Sequence, residues 1–461
     1  MPREKMSDVV VLLPGLMGSI LSKGGKDIWS ASPGSLLGGL VTGGGRFKDL
    51  IVREDPPDQD DLGDGIVASR VMPDVHLIPG LWKIDGYSKL ADTIKSSFEV
   101  TEGRNFFEFP YDWRRDNRVS GRKLDRAARG WLEQWRASSG NAAARLILIG
   151  HSMGGIVARH FLEVLDGWRI TRALVTFGTP YRGSLNAVDT LANGVRKGPF
   201  GLIDLTELAR SLTSVYQLLP VYPTYDGGDG RLVRVGETSG VPNVDPVRAQ
   251  AALAFHREIR DAVEAHRATA EYRDRGYLVY PVVGIQQPTR QSARRQADAV
   301  ELLESYEGVD QSGDSTVPRV SATPLELSDA HREMYAGTAH GALQNADAVL
   351  TNLIGVLSGF ALDLGAFRAA PRARLGLRLQ DVYWPDEPVS LQVRCERAGL
   401  ALRCAVTDTA SGREVGQASL TAAEEWKSIE VAPLPRGAYR IGVTGPPEVE
   451  PAGDVFAVVE R

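Results

Sequence analysis

The chain has 461 residues, which is enough for about three domains of average size and excludes a single small module. Hydrophobic residues make up 43% of the chain and charged residues 24%, a balance that excludes wholesale disorder. Lys and Arg number 53 against 58 Asp and Glu, and this net charge of −5 argues against nucleic acid as a partner.

The first residues and the cysteine content together predict a cytoplasmic protein. The N-terminus has no apolar leader with a small-residue cleavage site. Only two cysteines occur, which disfavours a secreted, disulfide-stapled protein. No run reaches the roughly 18 apolar residues that a spanning helix needs, so we expect any membrane contact to be peripheral.

Short apolar runs predict the strands of a parallel sheet. The first, Val9–Leu13, ends at Pro14-Gly15 and is typical of a strand buried on both faces. Similar runs occupy Arg145–Ile149, Ala173–Phe177 and Leu278–Val283. Helical patterns at about 120–138 and 342–358 complete the series. Alternating strands and helices predict an α/β domain with a mostly parallel sheet over residues 1–365.

Two long segments interrupt this alternation. The segment 23–85, rich in glycine and proline, is predicted to be a lid-like insertion, and 183–275, with helical stretches of its own, a cap-like insertion. Trp29 and Trp82 lie in apolar stretches of the lid segment and are candidates for contact with an acyl chain. The alternative is that both stretches simply pack over the core.

After about residue 370 the hydrophobic period changes from helical to alternating. Strands are predicted at Leu391–Cys395, Leu402–Val406 and Tyr439–Val443, which favours a β-sandwich over residues 371–461. The boundary is expected within Arg368–Arg372. Cys395 and Cys404 fall on the apolar faces of their strands and are expected to be buried and inert.

The clearest chemical motif is Gly150-His151-Ser152-Met153-Gly154, which lies between a predicted strand and a predicted helix. A serine on this tight turn has strained dihedral angles, so small neighbours are needed and its hydroxyl stands above the sheet. Ser152 is therefore the predicted nucleophile, and the backbone N–H of Met153 a predicted oxyanion donor. The alternative is a glycine-rich turn with an incidental serine.

A serine nucleophile needs a histidine base and an acid, which follow it in the chain order Ser, Asp or Glu, His. His340 lies in a loop just before the last predicted helix and is favoured over His331, whose neighbours are charged. Asp314, in Gly313-Asp314-Ser315-Thr316-Val317-Pro318, is the predicted acid, with Asp310 as the second choice. Asp314 could also serve as an Asx-turn residue.

The loop after the first strand supplies a candidate for the second oxyanion donor. In α/β-hydrolases this donor is a backbone N–H after an early strand. The backbone N–H of Leu16 is therefore the predicted donor.

Six stretches together resemble the lecithin:cholesterol acyltransferase and lysosomal phospholipase family of α/β-hydrolases. They cover about residues 8–358 and are Pro14–Ser19, Tyr111–Arg114, Gly150–Gly155, Gly178–Ser184, Gly313–Pro318 and His340–Leu343. The resemblance implies an α/β-hydrolase fold with lid and cap that acts on acyl lipids without metal or organic cofactor. Eukaryotic members are secreted or lysosomal and close a lid loop with a disulfide, but segment 23–85 has no cysteine.

These observations predict a serine hydrolase of lipid acyl esters that works through an acyl-enzyme. Phospholipase A or lysophospholipase activity is the leading prediction. The same acyl-enzyme could also pass its acyl group to an alcohol. Esters of triacylglycerols, waxes or polymers are alternative substrates. One alternative is a partner-regulated effector that binds a protein through its C-terminal sandwich. The other is a thioesterase or amidase that uses the same triad.

Two further features lie on or just before the helix predicted at about 120–138. Arg115, Arg118, Arg122, Arg126 and Arg129 recur every three or four residues and form one basic stripe. An ordinary solvated face is favoured over a surface for anionic lipid headgroups. Trp113, in Tyr111-Asp112-Trp113-Arg114, is a candidate acyl-site residue, but an Asp112–Arg114 contact that locks the base of the lid is favoured.

Overall fold

We describe a computed structural model of the chain. It describes residues 3–30, 45–73, 76–78, 82–84, 86–197, 203–327, 333–361, 373, 375–380, 382–409, 411–449 and 451–459. The chain divides into two compact units, Met1–Leu362 and Asp363–Arg461, which are treated separately.

The first unit is built on a six-stranded sheet in which every neighbouring pair is parallel. Its strands are β1 (Val9–Leu13), β2 (Phe106–Glu108), β3 (Leu146–His151), β4 (Thr171–Phe177), β5 (Leu278–Gly284) and β6 (Met334–Ala336). The order across the sheet is β6-β5-β4-β3-β1-β2. All residues of β1 and β3 are buried, as expected for central strands covered on both faces.

Helices alternate with these strands, which confirms the α/β fold. They are α1 (Ser88–Ser97), α2 (Asn117–Ser139), α3 (Met153–Arg159), α4 (Leu185–Ala192), α5 (Thr206–Ser211), α6 (Thr213–Tyr216), α7 (Pro246–Arg267), α8 (Ala270–Arg275) and α9 (Asp347–Ala361). The ends of α2 follow local chemistry: the Asp116 side chain accepts a hydrogen bond from Arg118 N, and Gly140 ends the helix at φ 69°. Shorter helical turns include the π-helix His160–Val164 and 3₁₀ turns at Gly45–Leu50, Gly167–Ile170, Val235–Glu237, Arg319–Ser321, Leu325–Leu327 and His340–Asn345.

The lid-like segment is partly a small antiparallel sheet. Its strands are Ser19–Lys23, Lys26–Trp29 and Ile66–Val71. A short hairpin joins His76–Ile78 to Trp82–Ile84, and Glu4–Lys5 pairs in parallel with Phe98–Glu99. The Trp82 side chain lies outside the described residues.

The cap-like segment contains α4 to α8 and the hairpin of Arg196–Lys197 with Ile203–Asp204. A second cap sheet runs in the order Leu232–Val233, Tyr225–Asp226, Ser292–Gln296, Ala299–Leu303. The last two strands follow β5 in the chain and lie outside the segment 183–275 that was predicted as the cap. Tyr225 pairs with Ala293, and sequence periodicity carries no signal of such a distant pairing.

The second unit has the two sheets expected of a sandwich. One has the order Leu375–Leu379, Val389–Cys395, Lys427–Val431. The other has the order Val382–Tyr383, Ala452–Val458, Gly437–Thr444, Ala401–Asp408, Glu414–Thr421. All pairs are antiparallel except Val382–Tyr383 with Ala452–Val458. Cys395 and Cys404 are buried free thiols in this unit's core, as predicted, and burial raises the pKa of Cys404 to about 11.

Candidate functional site

Ser152 occupies the turn between β3 and α3, with φ 52° and ψ −125°. The turn is tight because a Cβ on Gly150 would lie 2.8 Å from the Gly155 backbone, and one on Gly154 would lie 2.5 Å from the Pro14 carbonyl oxygen. The Ser152 carbonyl accepts a hydrogen bond from Thr179 Oγ1 at 2.9 Å. The glycines therefore allow a strained serine at the carboxyl edge of the sheet, as the motif predicts.

Three side chains from distant parts of the chain form a hydrogen-bonded relay at this edge. His340 Nε2 lies 2.8 Å from Ser152 Oγ, and His340 Nδ1 lies 2.7 Å from Asp314 Oδ2. With Asp314 ionised, Nδ1 carries the proton and Nε2 accepts from the serine hydroxyl. This arrangement can withdraw the serine proton and return it to a leaving group.

Asp314 is held by its own turn as well as by His340. Its Oδ1 accepts from Thr316 N at 3.0 Å and from Val317 N at 2.7 Å, while Oδ2 is left to the imidazole. The His340 amide also donates to the Asp314 carbonyl at 2.8 Å. The Asp314 carboxylate therefore does both: one oxygen caps its own turn, and the other takes part in the relay.

The alternative residues do not join this relay. Asp310, the second choice for the acid, accepts hydrogen bonds from Ser312 N and Gln291 Nε2, and these bonds lower its pKa. It orders the loop before Asp314, so its predicted role as the acid is not supported. His331 lies outside the described residues.

The loop Pro14–Ser19, which we call the oxyanion loop, lies beside the serine. A Cβ on Gly15 would be 2.9 Å from Ser152 Cβ. The Gly15 amide donates to Tyr87 Oη at 2.8 Å and the Gly18 amide to the Gly15 carbonyl at 3.0 Å, so neither can serve an oxyanion. The backbone N–H of Leu16, a half-buried residue between these two glycines, stays the candidate oxyanion donor. Met153 N is in the first turn of α3, where amides have no intrahelical acceptor.

Aromatic side chains hold this loop in place through hydrogen bonds to its carbonyl oxygens, a role that the sequence did not predict. Tyr111 Oη donates to the Pro14 carbonyl at 2.7 Å, Trp29 Nε1 to the Met17 carbonyl at 3.0 Å, and Trp113 Nε1 to the Ser19 carbonyl at 3.0 Å. Trp29 and Trp113 are 3% and 0% exposed and pack edge to face. Both rings lie in the core and donate to the backbone of the loop, which agrees with the structural alternative, and contact of either ring with an acyl chain stays a prediction.

His151 links the oxyanion loop to the loop that carries His340. Its Nδ1 lies 2.8 Å from Tyr87 Oη, and its Nε2 lies 3.1 Å from the His340 carbonyl oxygen. Burial and the neighbouring His340 lower the pKa of His151 to about 3, so the ring is neutral near pH 7. A neutral ring that donates from Nε2 accepts the Tyr87 hydroxyl proton at Nδ1, which orders one chain of hydrogen bonds across the site.

Carboxylates pair with each arginine of the predicted basic stripe, in which Arg126 and Arg129 are exposed, as a solvated face predicts. Arg115 is 3% exposed, precedes α2, and pairs with Asp55 at 2.5 Å. Arg122 and Arg126 both pair with Asp60. Arg118 pairs with Asp116 and Glu258, and Arg129 with Asp125. The stripe mainly anchors the lid segment to α2.

The base of the lid is locked as expected. Arg114 is fully buried, and its Nη2 contacts Asp112 Oδ2 at 2.7 Å and Asp64 Oδ2 at 2.9 Å. Asp64 belongs to the lid segment, so the Arg114–Asp64 ion pair connects the lid to the loop that follows β2.

The described part of the chain has no cluster of His, Cys, Asp and Glu able to hold a metal ion. No helix within that part is long and apolar enough to cross a membrane. The parallel sheet, the strained serine turn and the relay define an α/β-hydrolase fold with a serine-histidine-aspartate site.

Residues 80–239 match the family model of lecithin:cholesterol acyltransferase. The matched range includes Tyr111–Arg114, the serine turn and Gly178–Ser184, whereas Asp314 and His340 lie outside it. The family resemblance predicted from the motifs is confirmed for this range. No curated protein matches the chain in sequence.

Several solved structures resemble the chain at low identity. Bacillus licheniformis lipase BlEst2 in its mature form is 12% identical with a TM-score of 0.37, over 77% of this chain and 93% of that one. Its propeptide form is 11% identical with a TM-score of 0.38, over 98% and 93%. Legionella pneumophila phospholipase PlaB with thio-NAD is 10% identical with a TM-score of 0.25, over 98% and 90%.

Proposed function

We propose that the protein is a serine hydrolase that cleaves acyl esters of lipids, with phospholipids as the leading substrate class. The observation that supports this most strongly is the relay from Asp314 through His340 to Ser152, at 2.7 and 2.8 Å, on a strained turn of an α/β-hydrolase sheet. The lipid class is supported by the match of residues 80–239 to an acyltransferase family.

In the proposed reaction, Ser152 Oγ attacks the ester carbonyl carbon while its proton passes to His340 Nε2. Asp314 orients the imidazolium and stabilises its charge. The carbonyl oxygen becomes an oxyanion, for which the amides of Met153 and Leu16 are the proposed donors. One such donor is typically worth about 10²–10³ in rate.

The tetrahedral intermediate then collapses. The ester C–O bond breaks, and His340 gives its proton to the leaving alcohol. Water attacks the resulting acyl-serine with His340 as the base, and the fatty acid is released. A lipid alcohol in place of water would give acyl transfer through the same intermediate.

Product analysis tests this proposal. Wild type and Ser152→Ala are incubated with vesicles of mixed phospholipid and neutral lipid, and products are identified by mass spectrometry. Free fatty acid with lysophospholipid from the wild type alone supports a phospholipase and identifies the cleaved position. Turnover of soluble thioesters or amides with no release from any lipid would contradict the lipid assignment.

A further inference from the structure

A cavity of the first unit lies between the cap and α3, the helix that follows the serine turn. Its volume is about 290 Å³, at the lower end of the range of small-ligand pockets. Ile156 of α3 and Leu253 and Ile259 of α7 contribute apolar walls. None of Ser152, Asp314 and His340 is among its described lining residues. The cavity is therefore separate from the relay.

One end of this cavity has more arginine than carboxylate. Arg234 and Arg257 both line it and share a single partner, Glu237. Arg182 also lines it and forms no ion pair with a carboxylate that the structure describes. Its Nη1 donates to the Val320 carbonyl at 3.2 Å. Two of these three lining arginines share the Glu237 carboxylate and Arg182 has no ion pair among the described residues, so positive charge exceeds negative charge among them, which favours an anion beside Arg182.

The other two arginines of the lining are already paired. Arg159 contacts Glu163 and Glu326, and Arg260 contacts Asp261 and Glu264. They hold the walls together and leave the unbalanced charge at the end near Arg182.

Tyr222 supplies an independent observation at the same end. It lines the cavity, is only 6% exposed, and has the guanidinium of Arg182 at 4.6 Å from its ring centre. Its buried hydroxyl has no hydrogen-bond partner among the described groups. Burial raises the pKa of Tyr222 to about 12, so the hydroxyl stays a donor. A buried donor without an acceptor is destabilising, and an anionic ligand beside Arg182 would provide the acceptor once the Tyr222 ring turns toward it.

We propose that this cavity binds a single-chain amphiphile with an anionic head, whose carboxylate or phosphate contacts Arg182 and the Tyr222 hydroxyl. The apolar walls take the first part of the chain. This inference does not depend on the proposed hydrolysis, since the cavity needs no reaction at Ser152. Fatty acids and alkyl phosphates share the required chemistry, and two probes distinguish them.

Titration calorimetry on the full-length Ser152→Ala protein tests the proposal with decanoate and decyl phosphate below their micelle concentrations. We expect saturable binding of one molecule per chain, which a sugar-headed decyl detergent does not show. Arg182→Gln should weaken binding at least about tenfold, since a hydrogen bond to a charged group is lost. Tighter binding of decyl phosphate would identify a phosphate head, and tighter decanoate a carboxylate.

Tyr222→Phe separates a ligand role from a structural one. Without ligand, removal of an unpaired buried hydroxyl should leave Tm unchanged or raise it. The same variant should bind the preferred probe about three- to tenfold more weakly, since one hydrogen bond is lost. Arg196→Gln, an exposed cap position outside the cavity lining, is the matched control and should bind as the parent does.

Three results would overturn the proposal. They are no saturable binding of either probe, unchanged affinity in Arg182→Gln, and a lower Tm with unchanged affinity in Tyr222→Phe. If Arg182→Gln fails to fold, Arg182→Lys keeps the charge and should retain part of the affinity. Because the parent lacks the serine hydroxyl, binding can succeed or fail independently of hydrolysis.

Discussion

Replacement of Tyr87 with phenylalanine should loosen the oxyanion loop without removing any member of the relay. Tyr87 is 1% exposed, and its hydroxyl has two buried hydrogen-bond partners, the Gly15 amide and His151 Nδ1, each at 2.8 Å. Each partner left unpaired costs about 1–3 kcal/mol, so we expect the free energy of unfolding to fall by about 2–6 kcal/mol. Since one oxyanion donor is worth about 10²–10³, partial misplacement should reduce kcat about 10–100-fold.

Guanidinium unfolding measures the first effect, and kcat on a soluble p-nitrophenyl ester measures the second. Tyr225→Phe is the matched control because its hydroxyl is also buried and donates to one backbone carbonyl, that of Gly240, at 2.9 Å. The control should lose about 1 kcal/mol and keep kcat within about twofold. Equal kcat values for the two variants would refute the role of Tyr87 in holding the loop.

Three further predictions concern the relay, the lid and pH. Asp314→Asn should reduce kcat by about 10⁴-fold while the fold is retained, because the imidazole loses its orienting acceptor, and steady-state kinetics checks this. Arg115→Met should lower the free energy of unfolding by about 3–5 kcal/mol because a buried partner carboxylate loses its ion pair. Arg126→Met, at an exposed pair, should cost less than about 1 kcal/mol in the same denaturation assay. The free energy of unfolding should fall as pH drops from about 6.5 toward 4. In this range three histidines bind protons in the unfolded chain but stay buried and neutral in the folded protein. Denaturation at pH 7, 6 and 5 checks this. These histidines have pKa values lowered by burial to about 3, 3 and 4: His151, His160 and His256.

The parts of the fold that sequence could predict are those with a local signal. The run Val9–Leu13 needs only its own composition to indicate a central strand, and the glycines around Ser152 indicate the strained turn. Asp314 and His340 could be selected because α/β-hydrolases fix the chain order of the relay. In each case the informative residues are neighbours in sequence.

The features that sequence missed depend on contacts between distant residues. Tyr87 and Gly15 are 72 positions apart, and no periodicity indicates that a tyrosine hydroxyl will meet that amide. The arginines of α2 have the predicted helical spacing, but nothing in that spacing indicates that Arg122 and Arg126 pair with Asp60 of the lid segment. The burial of Trp113 likewise follows from its bond to Ser19 across the core. The cytoplasmic location and a protein partner for the sandwich stay predictions.

The most direct test of the central proposal is covalent labelling with an alkyl fluorophosphonate. Attack by Ser152 Oγ on phosphorus would expel fluoride and leave one phosphonyl group on the serine. Intact-mass and peptide mass spectrometry should show a single adduct on the peptide that contains Ser152, with none in Ser152→Ala and a much slower reaction in His340→Ala. An adduct on a different serine, or equal labelling of wild type and Ser152→Ala, would contradict the assignment of the nucleophile.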